Sequence, residues 1–151
     1  MAMPQKLKSD GTIKAVYSFK EGIKLSRPLV GQRVPAGFPS PATDYIEGSL
    51  DLTEHLIHHP ASTFFMRVSG DSMTGAGIFA EDLLVVDRSL DATHNKIIVA
   101  IYDGELTLKR LRIDDEGYLL CAENPDYPTI RVDKELEFFV WGVVTFVIHR
   151  V

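Results

Sequence analysis

Residues 97–113 have the sequence IIVAIYDGELTLKRLRI, in which two apolar and β-branched runs flank Asp103-Gly104. Asp-Gly is favoured in the two-residue turns that join antiparallel strands, because such turns need positive φ angles. Along a strand, successive side chains point to opposite faces of the sheet. We therefore predict a β-hairpin formed by Ile97–Tyr102 and Glu105–Ile113, with Lys109 facing away from Arg110.

Similar signals on both sides of this hairpin predict a mostly β fold of antiparallel strands. One short helix is expected at Leu52–His58, because Asp51 can cap its first turn and Pro60 ends the pattern. The remaining predicted strands are Thr63–Val68, Leu83–Val86, Tyr118–Ala122, Thr129–Val132 and Phe138–Ile148, the last with Gly142 as a candidate bulge.

The composition fits one domain with a hydrophobic core. The chain has 151 residues, of which 45% are hydrophobic and 25% charged. No stretch has the apolar length of a membrane span, and the first residues lack a secretory signal. The single cysteine, Cys121, excludes an internal disulfide and fits a reducing cytoplasm. We expect no membrane association, no cofactor and no metal.

The charge is divided unevenly between two parts of the chain. Residues 1–36 carry a net charge of +5 and show no sustained apolar periodicity, which indicates an extended N-terminal arm. Residues 37–151 carry a net charge of −10, which disfavours direct binding of DNA phosphates by the body. The arm could contact nucleic acid or lie on its own acidic body, and we favour the second reading. Three prolines between residues 34 and 41 favour the extended backbone that peptidases bind.

Two residues have the chemistry of a serine peptidase. Ser72 follows a predicted strand and Gly70, in a turn that can expose a hydroxyl and neighbouring amides. Lys109 lies among apolar neighbours on a face shared with Thr107, which could help to orient it. Ser72 could equally be an ordinary turn residue, Thr107 an ordinary strand residue, and Lys109 a lysine that protects a sheet edge.

A lysine can activate a serine only in its neutral form. At pH 7 a lysine with the ordinary pKa has a neutral fraction of roughly 1 in 2,500. Desolvation disfavours the charged form, and a decrease of about three pKa units corresponds to roughly 4 kcal/mol. Burial alone can therefore make a lysine a competent general base.

Several motifs, in order along residues 34–148, resemble the LexA/UmuD self-cleaving peptidases, and two of them resemble the UmuD branch in particular. The shared motifs are Ser69–Met73, Gly77-Ile78, Asp82–Asp87 and Leu108–Leu111, and those typical of UmuD are Ala36–Ala42 and His59–Thr63. The resemblance implies a LexA/UmuD-like peptidase domain at residues 37–151, with Ser72 as nucleophile and Lys109 as general base. It also implies self-cleavage between Ala36 and Gly37, which would remove the arm at residues 1–36. The amides of Asp71 and Ser72 are candidates for the oxyanion hole.

The resemblance further implies the partners and the biological role. In the family, a RecA filament on single-stranded DNA promotes cleavage during the SOS response to DNA damage. The shortened product forms a homodimer and binds a Y-family, UmuC-type DNA polymerase subunit to support translesion synthesis. Residues 1–36 are too short and too aperiodic for the helix-turn-helix of a LexA repressor.

Two other classes of function compete with the self-cleaving enzyme. A non-catalytic dimeric adaptor that does not depend on cleavage would also use the acidic body and the apolar C-terminal strand. A general peptidase related to signal peptidases is disfavoured, because no segment is apolar enough to anchor it in a membrane.

Overall fold

The computed structural model describes residues 8–22, 26–30 and 46–151 of the chain. Most of the ordered backbone in these ranges is β-strand, as predicted. The strands are β1 (Lys8–Ser9), β2 (Ile13–Ser18), β3 (Ser26–Val30), β4 (Ile46–Asp51), β5 (Thr63–Val68), β6 (Leu83–Asp87), β7 (Ile97–Tyr102), β8 (Glu105–Asp114), β9 (Gly117–Cys121), β10 (Ile130–Arg131) and β11 (Phe138–Ile148); the helices are α1 (Leu52–Leu56) and the 3₁₀ turns Pro60–Ser62 and Thr74–Ala76.

The larger of two compact units comprises Met1–Phe19 and His59–Val151. Its described strands form one sheet in the order β10-β9-β8-β7-β11-β6-β5-β2, and β1 pairs with β8. Every pairing along this path is antiparallel, and only the short β1–β8 contact is parallel. The predicted mostly β, antiparallel fold is therefore confirmed.

The hairpin predicted around Asp103-Gly104 is present. Both turn residues have positive φ, 51° at Asp103 and 80° at Gly104, as the turn type requires. The register places Tyr102 opposite Glu105 and Ile98 opposite Lys109. Lys109 thus has a central place in the sheet, in a strand whose residues 106–109 are all buried.

The hydrophobic core of this unit collects the inward residues of β5, β6, β7, β8 and β11. Trp141 is 5% exposed and packs edge-on against Phe64, with ring centroids 5.0 Å apart. The β7–β11 register shifts between Val140 and Gly142, so the bulge predicted at Gly142 is confirmed. A side chain at Gly142 would start 2.6 Å from Cγ1 of Val86, so this close approach requires glycine.

The second unit, Lys20–His58, contains the antiparallel pair β3–β4 and helix α1. The Asp51 carboxylate accepts hydrogen bonds from the amides of Thr53 and Glu54, so the predicted N-cap is confirmed. The predicted end at His58 is wrong, because α1 ends at Leu56 and Ile57 is already extended. His59 is also non-helical, since a following proline disfavours helical geometry.

Strand β2 was missed by the sequence reasoning, although Ile13–Ser18 pairs with β5 along most of its length. Its sequence, IKAVYS, has little apolar alternation, and only Ile13 is fully buried. Strand β5 pairs with β6 on one side, and on its other side β2 provides hydrogen-bond partners for the backbone N–H and C=O groups of β5. The local sequence pattern of β2 does not predict a strand, because β2 forms through pairing with the edge of β5 and not through its own apolar alternation.

Candidate active site

The candidate nucleophile lies in the tight turn that follows β5. Gly70 has φ +75°, which lets the chain leave the strand and turn back within a few residues. Ser72 is 4% exposed, and its carbonyl accepts a hydrogen bond of 2.9 Å from the amide of Glu123. The turn is therefore attached to the segment that follows β9.

Residues of the loop after β9 hold the turn through three further hydrogen bonds. The side-chain amide of Asn124 donates to the carbonyl of Asp71 at 2.9 Å, and the Tyr127 hydroxyl donates to the Asp71 carboxylate at 2.5 Å. The hydrogen bond to Asp71 and its negative charge raise the pKa of Tyr127. Gly75 donates its amide to the carbonyl of Glu123 at 2.7 Å. These bonds restrict the motion of the backbone on both sides of Ser72.

The amides of Asp71 and Ser72 are suitable donors for an oxyanion. In the described part of the chain, neither amide donates a hydrogen bond to a protein acceptor. Adjacent free N–H groups in a constrained turn can bind a developing negative charge without reorganisation. The sequence-based assignment of these two amides stays a prediction.

Lys109 is buried in β8, and its side chain is only 6% exposed. The ammonium donates to the carbonyl of Leu108 at 3.2 Å and approaches the Asp10 carboxylate at 3.5 Å. Arg110 points to the other face, where it contacts Glu123 and the carbonyl of Asn95. The predicted difference in orientation between Lys109 and Arg110 is thus confirmed.

Asp10 is the residue at this site that sequence reasoning missed. One carboxylate oxygen accepts from the Thr107 hydroxyl at 2.6 Å and faces Lys109, and the other accepts from the Thr12 hydroxyl at 2.6 Å. Burial raises the pKa of Asp10, but the hydrogen bonds from Thr107 and Thr12 and the charge of Lys109 more than offset it and lower the pKa overall. No local signal connects Asp10 with the site, because Thr107 and Lys109 lie almost a hundred residues away in sequence.

Thr12 connects the serine turn with the lysine strand. Its carbonyl accepts from the amide of Ser69 at 3.0 Å, and its hydroxyl accepts from the amide of Leu108 at 3.0 Å. Ser69 also donates its hydroxyl to the carbonyl of Gly11. The segments that carry Ser72 and Lys109 therefore share one bridging residue.

The catalytic assignment itself stays a prediction. Among the described contacts, no hydrogen bond joins the Ser72 hydroxyl to Lys109. Catalytic hydrogen bonds are often long before substrate binds, so this geometry does not decide the roles. The predicted cleavage site, Ala36-Gly37, lies outside the described residues.

Comparison with known proteins identifies the family. The model of the family described as Peptidase S24-like matches residues 28–145, a span that includes Ser72 and Lys109. Protein ImpA of Salmonella typhimurium is 47% identical over 125 residues, which cover 82% of this chain and 84% of the relative. Protein SamA of Salmonella typhimurium strain LT2 is 46% identical over 131 residues, covering 87% and 91%. A LexA repressor of Delftia acidovorans is 40% identical over 126 residues, covering 83% of this chain but 55% of the repressor.

The chain belongs to the Peptidase S24-like family. The LexA/UmuD resemblance drawn from its motifs is confirmed, and membership supports serine peptidase activity in general. In the described part of the chain, no helix has the length and apolarity to cross a membrane.

Proposed function

We propose that this protein is an SOS-response autoprotease that cuts its own Ala36-Gly37 bond, with Ser72 as nucleophile and Lys109 as general base. A RecA filament on single-stranded DNA stimulates the cut. Residues 37–151 then form the domain that dimerises in the cytoplasm as an accessory subunit of a Y-family translesion polymerase. The observation that carries the proposal is the burial of Lys109, whose side chain is 6% exposed in a chain of this family. Its strand, β8, is connected to the serine turn by the hydrogen bonds of Thr12.

The proposed reaction follows from the chemistry of these groups. The neutral amine of Lys109 removes the proton from the Ser72 hydroxyl as Oγ attacks the carbonyl carbon of Ala36. The carbonyl oxygen becomes an oxyanion, to which the amides of Asp71 and Ser72 donate. The ammonium of Lys109 then protonates the nitrogen of Gly37, and the peptide C–N bond breaks. Water, deprotonated by the same amine, then attacks the ester carbonyl of Ala36. The ester C–O bond breaks, the ammonium of Lys109 returns the proton to Ser72 Oγ, and the arm leaves with the Ala36 carboxylate.

The environment of Lys109 suits a general base. Around it are buried apolar residues of the neighbouring strand, such as Ile98 at 0% exposure. The Leu108 carbonyl gives the amine a fixed hydrogen-bond partner at 3.2 Å. Mobility of the amine is therefore low, which keeps the proton acceptor in place for the serine.

Incubation of the purified protein across pH 7 to 10 tests the proposal. Cleavage should accelerate as pH rises, because a larger fraction of the base is neutral, and the product should begin at Gly37 by mass spectrometry. Ser72→Ala and Lys109→Ala should stay intact. Ser89→Ala and Lys96→Ala are matched controls away from the site and should cut like the parent. Normal cutting by either site variant would refute the dyad.

A non-catalytic adaptor is the second candidate, favoured by exposed apolar residues on the last strand. Phe139 is 44% exposed and Ile148 43%, which is expected of a surface that binds another chain. N-terminal sequencing of the protein from damaged and undamaged cells separates the two functions. An arm that stays attached after damage while mutagenesis proceeds would support the adaptor.

A further inference from the structure

We propose that Asp10 is a positioning residue that holds Lys109 in its charged form and thereby sets the pH at which self-cleavage begins. The inference rests on the proposed function, because it assigns Lys109 the role of general base. Its structural basis is that the Asp10 carboxylate lies 3.5 Å from the Lys109 ammonium. The Asp10 side chain is only 27% exposed.

The carboxylate is held in place by the backbone as well as by side chains. Strand β1 pairs Lys8 with Glu105 and Ser9 with Leu106, and the Asp10 amide donates to the carbonyl of Leu106 at 3.0 Å. Exposed ion pairs contribute little when two flexible side chains must be ordered to form them. Here strand pairing and the hydroxyls of two threonines already fix the anion, so little additional side-chain ordering is needed to form the pair.

The other charged side chains that bear on this site, on β8 and in the serine turn, have partners of their own. On β8, Arg110 lies on the opposite face and pairs with Glu123 from the segment after β9. In the serine turn, the Asp71 carboxylate accepts a hydrogen bond from the Tyr127 hydroxyl. Strand β7 presents the apolar Ile98 opposite Lys109. Within the described residues, Asp10 is therefore the one acidic side chain in contact with the ammonium.

The direction of the effect follows from charge. A carboxylate close to an ammonium stabilises the charged form, and the charged form cannot accept the serine proton. Asp10 therefore slows cleavage at neutral pH in the intact chain. Because Asp10 lies before Ala36-Gly37, it belongs to the segment that the cut removes.

The first experiment compares the pH dependence of self-cleavage in the parent, Asp10→Asn and Asp10→Glu. In Asp10→Asn the midpoint of the rate profile should fall by about one pH unit, so that cleavage below the midpoint is about tenfold faster. Asp10→Glu keeps the charge, so its midpoint should be close to that of the parent. Asp91→Asn, an exposed loop position, removes the same charge away from the site and should change nothing.

A merely structural role for Asp10 would alter the rate at every pH without moving the midpoint, and that result would overturn the inference. A midpoint that is unchanged or raised in Asp10→Asn would overturn it as well. Asp10→Ser provides a second charge-free variant, which should behave as Asp10→Asn if charge is the cause.

A second measurement does not depend on cleavage. In Ser72→Ala chains, the titration of the Lys109 side chain can be followed by NMR of ¹³C-labelled lysine, with and without Asp10→Asn. The midpoint should be about one pH unit lower when Asp10 is replaced. If the parent protein never cuts itself, the proposed function fails while this titration still decides the role of Asp10. Equal midpoints would refute that role even in a protein that cuts normally.

Discussion

Gly75→Ala tests whether the contact between the serine turn and the segment after β9 positions Ser72. A Cβ at position 75 would lie 2.5 Å from the carbonyl oxygen of Glu123, where about 3.4 Å is an ordinary contact. The two segments must therefore separate by about 1 Å, because the clash is with backbone. The separation weakens two hydrogen bonds, one from the Gly75 amide to the Glu123 carbonyl and one from the Glu123 amide to the Ser72 carbonyl.

The expected cost has two parts. Overpacking costs about 1–3 kcal/mol, and each of the two weakened hydrogen bonds adds about 1 kcal/mol, so we expect a loss of about 3–5 kcal/mol in the free energy of unfolding. A displacement of 1 Å at the nucleophile should reduce self-cleavage about a hundredfold. Urea unfolding followed by circular dichroism measures the first effect, and the cleavage rate of the folded variant at pH 9 measures the second.

Gly48→Ala is the matched control, since among the described residues a methyl group at this position would have no atom within 4 Å beyond its chain neighbours, and the backbone requires no positive φ. The free energy of unfolding and the self-cleavage rate of this variant should be almost those of the parent. If Gly75→Ala also cuts and unfolds like the parent, the contact with Glu123 does not position Ser72, and the account of the turn is wrong.

Two further predictions concern stability. Trp141→Ala should lower the free energy of unfolding by about 3–5 kcal/mol in urea titrations, because the ring fills the core against Phe64, whereas the exposed Phe139→Ala should cost less than about 1 kcal/mol. Burial raises the pKa of Asp87, but hydrogen bonds from Ser89, His59 and Ser62 more than offset this and place it below the ordinary value of 3.8. Because a depressed pKa stabilises the fold above the unfolded value, this contribution should be lost as pH falls below about 4. Urea midpoints measured from pH 6 to pH 2.5 should decline less steeply in Asp87→Asn than in the parent, and equal slopes would contradict the assignment.

Local sequence determined most of the strands because their signals are short-range. Thr63–Val68, Ile97–Tyr102 and Phe138–Ile148 begin and end where the patterns predicted. Asp103-Gly104 fixed the central hairpin, since only a turn with positive φ at both positions joins its strands so closely. The helix was predicted two residues too long, because its end depends on the extended backbone before Pro60 rather than on apolar spacing.

The candidate site was predicted only in part. Lys109 could be named because a lysine on an apolar strand is unusual, and both Ser72 and Lys109 could be named because they match family motifs. A serine in a glycine turn is by itself an ordinary feature. Their mutual geometry and the cut at Ala36-Gly37 stay predictions, since no described contact joins the two side chains and the cut lies outside the described residues.

By itself, the sequence determined the antiparallel β architecture and the family, and it indicated Ser72 and Lys109 as the candidate catalytic residues. Only the tertiary structure decided that Asp10 faces Lys109 and that Thr12 connects Ser69 with Leu108. The physical reason is that alternation and turn preference act between neighbours in the chain. The charge and hydrogen bonds around a buried amine depend on residues that meet only when a distant strand, β1, pairs with β8.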